Sequence, residues 1–226
     1  ELGHAQGVHA PGLTLPRGAL AQARHHALLA HGLAIGAIRA AAAPGTRVGP
    51  AENIGVCVPV IETEEHVAAA QKAMRELNAG YLTAMMEGRY TDAYLAGLGA
   101  DAPKFTAADM AAIGSPVDFV GINIYVPTHY IAAADTPAGF TALPFPASFP
   151  RMLSPWLNIG PEALYWGPRL MRDVWGVDEL YITENGTSSS DVPAADGKVY
   201  DTDRVMYLRN YLGQLQQDHR YQVDAY

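Results

Sequence analysis

The chain has 226 residues, 49% hydrophobic and 17% charged, a balance that allows a buried core and fits neither a disordered segment nor a membrane protein. A formal charge of −8 repels polyanions, which excludes nucleic acid and anionic membranes as partners and leaves a small neutral or cationic molecule. One cysteine, Cys57, cannot form an intrachain disulfide and fits a reducing, cytoplasmic setting.

The chain opens on Glu1-Leu2-Gly3-His4 without an initiator Met or an apolar leader, and reads as the middle of a longer sequence. Pro16, then Leu20, Leu28, Leu29, Leu33, Ile35 and Ile38 among alanines, and a Pro44-Gly45 stop predict a long helix over 17–43. Its apolar run from Leu33 is broken by Arg39 and falls short of the ~20 residues that span a bilayer. Arg47 to Asn53 reads as a weak strand, because Pro50 removes a ladder donor. Thr63 ahead of Glu64 and Glu65, with Val67, Ala70, Met74 and Leu77 at helical spacing, predicts a helix running to near Met86. Thr106-x-x-Asp109 is a capping box opening a short helix that Gly114 ends.

Val117 to Tyr125 is a near-continuous apolar strand, the pattern of a parallel sheet buried on both faces. Residues 127–155 hold Pro127, Pro137, Pro144, Pro146, Pro150 and Pro155 with little periodicity, and read as a long loop. A helix over 161–175 precedes a second apolar, buried strand, Leu180–Glu184. A polar loop, a helix from Asp201 to near Gln217, and a strand beginning at Gln222–Tyr226 complete the chain. This is βα alternation with too few strands to close an eight-stranded barrel.

Glu184 ends its strand ahead of an Asn185-Gly186 turn signal, so its carboxylate belongs at the C-terminal rim of the sheet, where parallel-sheet enzymes place their chemistry. Asn123 and Tyr125, two residues apart, point to one side of the preceding strand. A tyrosine hydroxyl there can hold a carboxylate ionised and aimed. On position alone, Glu184 reads more readily as a rim carboxylate capping an N–H or pairing with an arginine, and Asn123 and Tyr125 as turn and core residues. The early histidines His4, His9, His25, His26 and His31 invite a metal reading, but they form no i, i+4 pair and no cysteine or carboxylate cluster joins them. Helix packing and loop hydrogen bonds account for them. Cys57 reads as a small buried hydrophobe.

Tyr181-Ile182-Thr183-Glu184-Asn185-Gly186 resembles the nucleophile motif of glycoside hydrolase family 1, the β-glucosidase family, and Gly121-Ile122-Asn123-Ile124-Tyr125 resembles its preceding strand motif. Gly7-Val8-His9-Ala10-Pro11-Gly12, the run His25 to Gly32, Pro161-Glu162 and residues 201–208 carry the resemblance across the whole chain, in the family's order. It implies a (β/α)8 TIM barrel, of which 1–226 cover roughly the second half, strands five to seven and the start of eight, as part of a single catalytic domain. It also implies a retaining β-glycosidase acting on a small-molecule β-glycoside, with no cofactor and no metal. Glu184 would be the nucleophile that forms a glycosyl-enzyme, Tyr125 would orient it, and Asn123 would shape the sugar pocket. Asn53 and Trp156 would lie near the aglycone, with a turn asparagine and a buried loop anchor as the open alternatives.

One departure matters. The family's acid/base glutamate lies in an Asn-Glu-Pro motif, and no Asn-Glu-Pro occurs in this sequence; Glu1 is not that acid. The 226 residues alone are therefore expected to be inactive. A catalytically inactive half-barrel acting as a sugar-binding or assembly piece stays open as the alternative, with an unrelated barrel enzyme further off.

Overall fold

The computed structural model describes residues 2–217; the strand expected at Gln222–Tyr226 lies outside them. By its internal contacts the chain divides into two compact units, one of the residues up to Pro50 with Arg75–Phe119 and the other of Ala51–Met74 with the residues from Val120 on, so that one of the three breaks falls inside helix α2 (Glu64–Leu77).

The first unit is helical. α1 (Arg17–Ala41) buries Ala21, His25, Leu28, Gly32 and Ile35, a stripe at intervals of four and three that follows the helical repeat. Its contact with α5 (Ala107–Ile113) depends on Gly32, where a Cβ would lie 2.1 Å from the Ala112 carbonyl oxygen. The capping box forms as expected: Thr106 Oγ1 accepts the Asp109 N–H at 3.1 Å and the Asp109 carboxylate accepts the Thr106 N–H at 2.8 Å. His25 is buried with Nδ1 3.0 Å from the Tyr90 hydroxyl and Nε2 3.6 Å from Asp109 Oδ2, a packing histidine satisfied within its unit.

Two helical expectations change. The helix expected over 64–86 is two helices, α2 and α3 (Leu82–Glu87), because the chain turns at Asn78-Ala79-Gly80, where the Tyr81 N–H bonds the Asn78 carbonyl at 3.1 Å; turn chemistry overrides the apolar spacing there. A further helix, α4 (Asp92–Leu98), was not expected. Thr91 caps it by accepting the Tyr94 N–H at 3.1 Å, while Gly97 and Gly99 dilute its periodic signal.

The second unit carries all six strands found among the described residues. Parallel strands β1 (Ala51–Asn53), β3 (Val120–Asn123) and β6 (Leu180–Glu184) form one sheet in the order β1-β3-β6. The other joins β2 (Cys57–Pro59) in parallel to β4 (His129–Ala133), and β4 antiparallel to β5 (Phe140–Leu143). The loop expected over 127–155 therefore contains a hairpin. Pro127, Pro137 and Pro144 all fall outside its two strands and punctuate them rather than preclude them.

β3, with neighbours on both edges, has the buried pattern read from the sequence. β6 does not: Tyr181, Thr183 and Glu184 are exposed. It pairs with β3 alone and its other edge has no strand partner among the described residues, so its apolar text does not translate into burial on both faces. Helix α6 (Ala163–Trp175) packs on the strands through Gly167, where a Cβ would lie 2.5 Å from Ile124 Cδ1. Cys57 is fully buried, and burial pushes its thiol up to about 12, in keeping with a packing role. Helix α7 (Thr202–Gln217) matches expectation. No helix among the described residues is long and apolar enough to cross a membrane.

Candidate active site

Strict alternation along β6 would put Glu184 on the face of Ile182, whose register partner is the fully buried Ile122. The pairing of β3 and β6 instead slips by one residue: Ile122 pairs with Ile182, but Asn123 pairs with Glu184, leaving Thr183 as the extra residue of a bulge. Bulges re-aim side chains in this way. The Glu184 carboxylate thus reaches the side of the sheet that carries Asn123 and Tyr125. Its backbone is held on both sides, because the Ile124 N–H donates to the Glu184 carbonyl at 2.9 Å and Asn185 Nδ2 donates to the Ile124 carbonyl at 2.7 Å.

Tyr125 donates its hydroxyl to Glu184 Oε2. That bond, foremost, raises the phenol's pKa, with partial burial and the carboxylate's charge adding to it. Thr183 Oγ1 donates to Asn123 Oδ1 at 2.6 Å, which commits that amide oxygen as an acceptor and leaves the NH2 group free to face outward.

All five residues singled out in the sequence line one open cavity of about 690 Å3: Asn53, Asn123, Tyr125, Trp156 and Glu184. Asn53 is the last residue of β1. Trp156 is 76% exposed, so it is not a buried loop anchor, and its indole is available as an apolar wall. Thr128, Ile54 and Leu157 complete much of the lining and were not foreseen, because Ile54 and Thr128 take their place from the pairing of β2 with β4 and Leu157 from a turn closed by Ser154, and none of them from a motif. Among the described residues, Glu184 is the one carboxylate that lines this cavity. No group of three metal-ligating side chains occurs among the described residues.

Parallel strands alternating with helices, and a carboxylate held at a strand's C-terminal end in an open cavity, are the arrangement of parallel α/β enzymes, the (β/α) barrels among them. The chain belongs to glycosyl hydrolase family 1, whose model matches residues 1–226. It is 32% identical over 215 residues to Beta-glucosidase A of Thermotoga maritima, covering 94% of this chain and 47% of that protein. It is 31% identical over 213 residues to a Beta-glucosidase of Agrobacterium, covering 94% and 46%. The chain thus spans about half the length of the curated relatives it matches. The solved family 1 β-glucosidase of Thermotoga maritima superposes with a TM-score of 0.74 at 30% identity, over 96% of this chain and 48% of that one, and the same enzyme in complex with glucoimidazole gives 0.74 at 30%. These matches make the fold part of a (β/α)8 barrel.

Proposed function

We propose that these residues form part of a retaining β-glycosidase of β-glucosidase type, with Glu184 as its nucleophile and the whole chain as one portion of its catalytic barrel domain. The observation that carries the reading is the Tyr125–Glu184 hydrogen bond inside a cavity also lined by Asn53, Asn123 and Trp156. Support comes also from relatives named as β-glucosidases and from a neighbour solved with glucoimidazole.

In this mechanism Tyr125 occupies Oε2 of Glu184, which leaves Oε1 to attack the anomeric carbon of a terminal β-linked sugar. The leaving oxygen takes a proton from a second carboxyl, which then activates the water that releases the sugar with its configuration retained. That partner must stand ~5–5.5 Å from Glu184, and it is supplied by polypeptide outside these residues. Asn123, its oxygen committed to Thr183, offers its amide N–H to a sugar hydroxyl. Trp156 and Asn53 border the aglycone.

A 2-deoxy-2-fluoro-β-glucoside traps glycosyl-enzymes, so mass spectrometry tests the reading directly. The full-length protein gains one fluorosugar on a peptide containing Glu184, while the 226-residue chain alone gains none and turns over no aryl β-glucoside. An adduct on a different residue, or turnover by the isolated chain, overturns the assignment.

A further inference from the structure

The turn that carries Trp156 is tied by a serine hydroxyl to the loop that follows Glu184. Ser154-Pro155-Trp156-Leu157 is a β-turn: the Leu157 N–H donates to the Ser154 carbonyl at 3.0 Å, and Pro155 sits where its fixed φ suits the turn. The turn closes a narrow hairpin, in which Met152 N–H donates to Leu157 at 2.9 Å, Ile159 N–H donates to Pro150 at 2.9 Å, and Arg151 bridges Asn158. Trp156, the third residue of the turn, stands 76% exposed in the Glu184 cavity. Nothing within the hairpin satisfies the N–H of Ser154, the turn's first residue. It donates instead to Ser188 Oγ at 2.8 Å, across 34 residues of chain and four residues beyond Glu184.

We propose that Ser188 is a positioning residue for the leaving-group side of the site: it fixes the Trp156 turn and so governs how tightly an aromatic or glycosyl aglycone is held. This rests on reading the cavity as a glycosidase site. A turn anchored only by its own hydrogen bonds samples other orientations, and each such orientation removes the indole face from the aglycone. Loss of one acceptor for a part-buried N–H costs ~1 kcal/mol, which is about a five-fold change in the docked population. The sugar itself lies against Glu184, Tyr125 and Asn123, whose supports do not include Ser188.

The test compares an aryl β-glucoside with β-glucosyl fluoride, which has no aglycone ring, using the full-length protein. Ser188→Val lowers kcat/KM for the aryl substrate about five-fold and for the fluoride less than about two-fold. Ser188→Thr, the same shape with the acceptor retained, keeps the parent ratio. In a Trp156→Ala background Ser188→Val adds little, because the two residues act as one unit. Equal losses on both substrates, equal losses in both backgrounds, or a Thr variant as impaired as Val overturns the role of Ser188 while leaving Glu184 untouched. A parent protein that hydrolyses neither substrate overturns the glycosidase reading and this one with it.

Discussion

Glu52 is a charge in the wrong place for stability, and its cost should be measurable. It is the middle residue of β1, in register with the fully buried Ile122, and so shares that residue's face of the sheet, opposite the cavity face of Asn53. Its carboxylate meets no hydrogen-bond donor and no cation among the described residues, and burial raises its pKa from 4.5 to about 7. The folded state therefore holds the proton that the unfolded state releases. Stability is intact below pH 4.5, falls as pH rises through the interval to about 7, and stays reduced above it. The gap caps the penalty at ~3 kcal/mol, and water reaching one side of a half-buried carboxyl lowers the expectation to about 1–2 kcal/mol. Glu52→Gln keeps the shape and removes the charge. Urea unfolding of parent and variant full-length protein should show the variant about 1–2 kcal/mol more stable at pH 8.5, with the difference shrinking below ~0.5 kcal/mol at pH 4.5. A variant equally or less stable than the parent at pH 8.5, or a gain independent of pH, would falsify the placement of Glu52.

Two further outcomes follow from single contacts. Tyr125→Phe removes the hydrogen bond to the Glu184 carboxylate, and bonds to charged groups contribute ~1.5–3 kcal/mol, so kcat/KM should fall about 10- to 100-fold with the melting temperature little changed; a loss under two-fold in steady-state kinetics would mean the phenol does not hold the nucleophile. Gly32→Ala drives a methyl into the Ala112 carbonyl and should destabilise by about 1–3 kcal/mol, whereas Gly36→Ala in the same helix meets no atom within 4 Å and should stabilise by roughly 0.5–1 kcal/mol. Equal melting shifts for the pair would show that the α1–α5 contact is looser than 2.1 Å implies.

The elements that could be read from the sequence are those decided by local chemistry. α1 announces itself by apolar spacing between a proline and a Pro-Gly stop, and α5 by a capping box whose two hydrogen bonds both form. The β4–β5 hairpin was hidden because its strands are four or five residues long and pair through contacts that no short window contains. β6 was misjudged for a related reason. Apolar text sets what a strand can bury, but a neighbour on each edge sets what it does bury. That Glu184, Tyr125 and Asn123 would meet at one rim was legible from apolar strands ending near them, while their catalytic roles rest on the resemblance to the family's motifs; Ser188 was not legible, since a serine in a run of serines carries no signal until Ser154 is found beside it.

The bulge at Thr183 divides the work of the site between two kinds of scaffold. The carboxylate and its asparagine hang from the ends of β6 and β3, with its tyrosine two residues past β3, where backbone and Asn185 hydrogen bonds fix the strand end to a single register. Groups on paired strands hold position better than groups on loops, which suits the nucleophile role proposed for Glu184, since a nucleophile must meet one carbon atom at one distance. Trp156 instead hangs from a four-residue turn at the tip of a short hairpin, whose first N–H is held by Ser188 of the loop after β6. Changes in residues 150–159 or 187–190 can therefore move the indole of Trp156, and on the proposed glycosidase reading alter which leaving groups are accepted, without moving Glu184. The reverse does not hold, because closing the bulge would return the carboxylate to the face of Ile182 and remove it from the cavity altogether.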